Sequence, residues 1–151
     1  QQFTFLPGLL KGLELAANFT TLKTQGNFGS TVVTRDTEVA GFVPKSGNVS
    51  LAYTYGRYGT RINYNYASAY LRTFNATPTL RYYTRSLETV SLSLSYRWRP
   101  GITFSCDLTN IFGAHRGSYQ YLPSRVADDY VPNKMISFGV SGSFQLAGAA
   151  S

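Results

Sequence analysis

Hydrophobic and polar residues alternate one for one along most of this chain, which is the side-chain period of a β-strand rather than of a helix. In "LELAANFTTLKT", Leu13, Leu15, Ala17, Phe19 and Thr21 fall on one face and Glu14, Ala16, Asn18 and Thr20 on the other. "NVSLAYTY" sets Val49, Leu51, Tyr53 and Tyr55 against Ser50, Ala52 and Thr54. "GTRINYNYASAYL" sets Ile62, Tyr64 and Tyr66 against Arg61, Asn63 and Asn65. "TVSLSLSYRW" sets Val90, Leu92, Leu94, Tyr96 and Trp98 against Ser91, Ser93, Ser95 and Arg97. "ITFSCDLTN" and "ISFGVSGSF" continue the pattern, the first with Asp107 on its polar side. Strands are therefore predicted at 13–25, 47–56, 60–70, 88–98, 102–112 and 135–145, with "QQFTF" as the end of one more. No segment keeps the i, i+3, i+4, i+7 spacing with caps that a helix needs, so the chain reads as all-β.

Alternation alone does not say which face meets water. In a soluble sandwich the apolar face is buried; in an outer-membrane barrel it faces lipid and the polar face lines a wet lumen. The polar face here is furnished mostly with Ser, Gly, Ala, Asn and Thr, which suits a crowded or wet interior better than an open surface. The connections favour the barrel. Short links at 7–12, 56–59 and 99–101 alternate with long ones at roughly 26–47, 71–87 and 113–134. Short turns thus fall at one end of an antiparallel up-and-down meander and long loops at the other, as short periplasmic turns and long extracellular loops do in bacterial barrels. Tyr53, Tyr55, Tyr58, Tyr96 and Trp98 cluster by the short turns, and Tyr66 and Tyr70 lie toward a long loop, matching the headgroup-level preference of amphipathic rings. Six full strands fall short of the roughly eight of the smallest common barrels. An open edge cannot face hydrocarbon. The expected partners are therefore outer-membrane lipid and either the remainder of a barrel or further copies of the chain.

Composition bounds the remaining classes. Aromatic residues make up 15% of the 151 and charged residues only 14%, an aromatic-rich and charge-poor balance that narrows the choice between sandwich and barrel without settling it. No run approaches the roughly 18 apolar residues of a membrane helix, and no basic segment followed by an apolar run opens the chain. The net charge of +7 comes from scattered arginines without a like-charged block, so a nucleic-acid partner is not expected. One cysteine, Cys106, rules out an intrachain disulfide framework. One histidine, His115, in a predicted loop offers neither a multi-histidine metal site nor a placed general base, so no enzyme, cofactor or metal is expected.

Six stretches in order, "LPGLLKGLELAANFT", "VPKSGNVSLAYTY", "GTRINYNYASAYL", "VSLSLSYRW", "FSCDLTNIF" and "ISFGVSGSF", resemble the closing run of barrel strands in TonB-dependent outer-membrane receptors. The resemblance covers nearly all of the chain. It implies that 1–145 form a C-terminal segment of a plugged barrel of about 22 strands, with 146–151 a short tail beyond the final strand. It further implies a Gram-negative outer membrane, long loops outside, a periplasmic C-terminus, and uptake of a siderophore, cobalamin, carbohydrate or similar ligand. Plug and TonB contact are expected outside these 151 residues. The tail "FQLAGAAS" and Gly142 depart from a family pattern that ends on an aromatic residue preceded by bulky apolar positions. The rival class is a secreted or surface β-protein, adhesive or self-assembling, with the apolar face buried.

For ligand capture the long loops supply charge and flat rings together. The candidates are Arg116, Tyr119, Tyr121, Arg125 and Asp128 in one loop, and Arg81 and Tyr82 in another, where Arg72, Phe74, Tyr83 and Arg85 are neighbours. Aromatic rings can stack on sugar or chelate rings, and arginines can pair with carboxylates. Arg61, Asn63, Asn65, Arg97 and Asp107 are expected to face the lumen.

Overall fold

In the computed structural model, residues 11–27, 35–36 and 38–143 are described. The expected tail at 146–151 and the N-terminal "QQFTF" strand lie outside them. The elements are β1 (Leu13–Thr21), β2 (Gly26–Asn27), β3 (Arg35–Asp36), β4 (Lys45–Tyr55), β5 (Tyr58–Ala67), β6 (Tyr70–Thr73), β7 (Tyr82–Thr84), β8 (Leu87–Arg99), β9 (Ile102–Thr109), β10 (Arg116–Gln120), β11 (Val126–Tyr130) and β12 (Met135–Gly142). A single 3-10 turn at Pro78–Leu80 separates β6 from β7.

The fold is all-β, and its main sheet has six strands in the order β1-β4-β5-β8-β9-β12. Every neighbouring pair is antiparallel, so each long strand pairs with the next long strand in sequence. The meander expected from alternation and link length is the one found. β1 stops at Thr21 and β12 at Gly142, and β4 begins at Lys45, two residues before the expected start. The tight hairpins turn at Gly56, φ 59°, and Gly101, φ 86°, where a residue without Cβ adopts the left-handed region freely. Adjacent hairpins are stitched together: Arg97 N–H donates to Arg57 O at 2.8 Å and Ser143 N–H to Gly101 O at 2.8 Å.

The long connections are not the plain loops that the sequence suggested. β6–β7 forms one hairpin and β10–β11 another, and β7 pairs with β10 to join them as a second sheet, β11-β10-β7-β6. These strands are three to five residues long, too short for their alternation to stand out from loop composition. The first long connection carries the β2–β3 pair and joins the same assembly: Gly41 N–H donates to Leu71 O at 2.8 Å and Tyr83 Oη donates to Glu38 Oε2 at 2.9 Å.

The only buried apolar side chain among the described residues lies under these connections, not in the main sheet: Leu71, at 3% exposure. Among the described residues nothing buries the apolar face of the main sheet as a second layer. Cross-strand partners share a face. The register therefore aligns Leu15, Leu51, Ile62, Leu92, Leu108 and Ile136 in one aliphatic row that runs through all six strands. None of the six is buried, and Ile136 is 60% exposed.

Candidate functional site

The two faces of the main sheet follow from register, and each is banded. On the apolar face, the row nearest the tight hairpins is Tyr55, Tyr58, Tyr96, Phe104 and Val140. Its rings interlock: Tyr58 and Tyr96 centroids are 5.0 Å apart, and Trp98 lies 6.3 Å from Phe104. Arg99 stacks over Trp98 at 4.6 Å, a cation–π contact at the end of the strand. Two rows further along comes the aliphatic row. Two rows beyond that are Phe19, Gly47, Tyr66 and Glu88, preceded by Tyr64, and the Phe19 ring covers the space a Gly47 side chain would take. The order is an aromatic row, an aliphatic row, and a mixed row in which two rings stand with Glu88. Four two-residue steps span ~27 Å along a strand, or ~21 Å of height at a 35–45° tilt, close to the ~25 Å apolar band of a membrane barrel.

The opposite face carries all five residues expected to line a lumen. Arg61 stands opposite Ser93, which stands opposite Asp107, in a row that also holds Glu14, Ala52 and Ser137. Asn63 lies between Ser50 and Ser91 in the next row. Asn65 lies between Asn48 and Thr89, and Asn48 is opposite Asn18, so three asparagines form a ladder across β1, β4 and β5. Arg97 is opposite Thr103 toward the tight hairpins. The asparagine ladder escaped the sequence reading because it depends on pairing register, which alternation within one strand does not give.

Above the ladder, the polar face opens into a cleft of about 540 Å³. Its floor is Ala67 and Leu87, the polar-face ends of β5 and β8, and its wall is one face of the second sheet. Register places Tyr70, Thr84, Ser118 and Asp128 in one row of that face, with Arg116 opposite Tyr130 beside it. Arg72 reaches Asp128 at 3.6 Å, and both side chains remain more than half exposed. The other face of the second sheet turns toward the first long connection. Tyr83 stacks on Tyr119 at 5.4 Å with planes 11° apart, next to Leu71. There Arg85 and His115 both approach Asp129, at 3.6 and 3.3 Å. Burial, and then the hydrogen bond to Glu38, pushes the Tyr83 phenol above its ordinary pKa; burial does the same to Tyr119, with the Glu38 charge adding to it.

The sequence-predicted ligand residues thus divide. Arg116 and Asp128 line the cleft. Tyr119 packs on the opposite face of the same small sheet. Tyr82, Tyr121 and Arg125 sit at its far tip, where Tyr121 adopts φ 62° and Gln120 N–H donates to Arg125 O at 2.9 Å. Arg81 is buried at 9% exposure, donates from Nε to Asn75 O at 2.9 Å and lies 4.8 Å over the Phe74 ring, so it braces its loop from within. Arg72, Arg85, Tyr70 and Tyr130 join the cleft without having been candidates of the first rank, because only the pairing of the short strands brings them together. Asn110 was missed altogether. It is 6% exposed with φ 55°, accepts from Ala114 N–H at 2.8 Å and donates to Pro132 O at 3.0 Å, tying both ends of the last long connection together.

No helix among the described residues is long and apolar enough to cross a membrane, which leaves strand-crossing open. Comparison with protein-family models, curated proteins and solved structures finds no match to the chain.

Proposed function

We propose that this chain is a C-terminal portion of an outer-membrane receptor barrel of the TonB-dependent kind, with its long connections outside and its tight hairpins at the periplasmic rim. The observation that carries the reading is the unburied, banded apolar face: one aliphatic row through six strands, flanked by an aromatic row toward the tight hairpins and by a row with Phe19, Tyr66 and Glu88 toward the long connections. Water does not favour that arrangement. Apolar surface contributes roughly 25 cal/mol per Å² when removed from water, and nothing in the described residues covers this face. Lipid covers it without any further protein layer, and the two flanking rows then fall at the two headgroup levels. Among the described residues both edges of the main sheet, β1 and β12, lack a further partner strand, which calls for continuation of the sheet, as by the rest of a barrel. β1 and β12 run in opposite directions, so antiparallel strands can extend either side.

The polar face then lines the passage, with the cleft at its outer mouth, and a small ligand descends past the asparagine ladder and the Arg61–Ser93–Asp107 row. Energy for uptake comes from partners, through a plug and a TonB contact carried elsewhere. The test is reconstitution. Chain refolded in detergent and mixed with phospholipid vesicles is expected to float with them and resist carbonate extraction. Chain that stays soluble and monodisperse without detergent would overturn the lipid-facing reading in favour of a surface protein that buries the same face against itself.

A further inference from the structure

We propose that the cleft between the polar face and the second sheet is an oxyanion site, which recognises a small ligand by its carboxylate or phosphate groups. The proposal rests on the receptor reading for its biological use, but its chemistry stands on the cleft itself. Three guanidiniums line the space, from Arg72, Arg85 and Arg116, against one carboxylate, Asp128. Asp129 approaches Arg85 from the other face of the small sheet, which still leaves one positive charge in excess. Arg116 makes no ion pair among the described residues and projects from the same face as Arg72.

The existing pairs are loose enough to be exchanged. Arg72 and Asp128 are 3.6 Å apart, beyond good hydrogen-bond distance, and their side chains are 59% and 51% exposed. A ligand carboxylate or phosphate offers Arg72 and Arg116 shorter, bidentate geometry that Asp128 does not achieve. Tyr70 and Tyr130 flank the space with phenol rings, suited to the apolar part of an organic acid. The cleft opens on the polar side of the sheet, away from the banded face, so a free anion and not a lipid headgroup is the occupant.

The experiment uses the full chain in non-ionic detergent, titrated calorimetrically with citrate, inorganic phosphate and, as an uncharged control, maltotriose. Citrate or phosphate is expected to bind and maltotriose to give no heat. Arg116→Gln and Arg72→Gln should each weaken binding roughly tenfold or more, as loss of a charge-assisted hydrogen bond does. Arg116→Lys should recover only part of the affinity, and Arg57→Gln at the opposite rim should leave it unchanged. Equal affinity in all variants, or an equal loss in Arg57→Gln, would overturn the site as non-specific attraction. Vesicle flotation of the same preparations separates the two readings. A chain that floats but ignores both anions refutes the oxyanion site alone; one that binds them but does not float refutes the receptor reading alone.

Discussion

Leu92 and Ser93 are adjacent in β8 and point to opposite faces, so arginine at each position tests which face meets lipid. Leu92 occupies the middle of five rows, two steps or ~13 Å along the strand from the Tyr96 row on one side and from the Glu88 row on the other. Its direct neighbours are Ile62 and Leu108, neither of which can pair with a guanidinium. With that face against lipid, as proposed, arginine there would sit near the bilayer midplane and should cost roughly 2–4 kcal/mol. That is a loss of about 30- to 900-fold in the folded-to-unfolded ratio, at 1.36 kcal/mol per tenfold. Ser93 lies between Arg61 and Asp107. Arginine at this position gains one opposite charge and one like charge across the strands, terms of roughly 0.2–1 kcal/mol that largely cancel in a wet lumen. The assay is urea unfolding in lipid vesicles, followed by fluorescence of Trp98, the one tryptophan of the chain. Equal costs at both positions would refute a lipid face opposite a wet face and point to a core packed on two sides. A greater cost at Ser93 would reverse the assignment.

Three further outcomes are expected. In a Cys106→Ser background, cysteine at Tyr121, 44% exposed at the tip of the second sheet, should be labelled by an impermeant maleimide on intact cells, and cysteine at Arg57 should not; labelling at 57 alone would invert the orientation. Gly117→Ala should loosen the second sheet alone, because a Cβ there would fall on the Asp128 carbonyl. Hydrogen exchange should then lose protection at the Arg85 amide, which donates to Gly117 O at 2.9 Å, and keep it at Ile62; uniform loss across both sheets would contradict independent formation. For Tyr83, a folded pKa raised above the phenol value of about 10 means that the protonated ring is the stabilising form. Its contribution is complete below the unfolded value and is lost as pH rises through the raised one. Ultraviolet difference titration against Tyr83→Phe should show late ionisation, moved earlier by Glu38→Gln; ionisation with the exposed tyrosines would refute burial at this site.

The main sheet was legible because its strands are long enough, eight to thirteen residues, for a period of two to stand clear of chance. "SLSLSYRW" states both its faces, and "YGRYG" and "RPG" state where the chain reverses. The second sheet was hidden for the opposite reason. "YLRT" and "YYT" hold too few residues to show a period, and β7 finds β10 at a separation of 36 positions, counted from Tyr83 to Tyr119, rather than in its own neighbourhood. Residue type likewise pointed to Arg81 as readily as to Arg116. Only burial tells a guanidinium folded back on Asn75 and Phe74 from one that lines open space. The polar row Asn18, Asn48 and Asn65 belongs to the same category, since each was readable alone and their alignment was not.

The β7–β10 pairing makes the long-connection end of the main sheet mechanically single. The two hairpins rise from different connections, one leaving β5 and the other leaving β9, yet they share backbone hydrogen bonds. A movement that spreads the rim between β5 and β12 must break that ladder, and one that preserves it must carry both hairpins together. Displacement of two of the three long connections is therefore coupled through one ladder. A disulfide across Tyr83 and Tyr119, which stand opposite each other, would hold the two hairpins together and leave the six-stranded sheet unchanged.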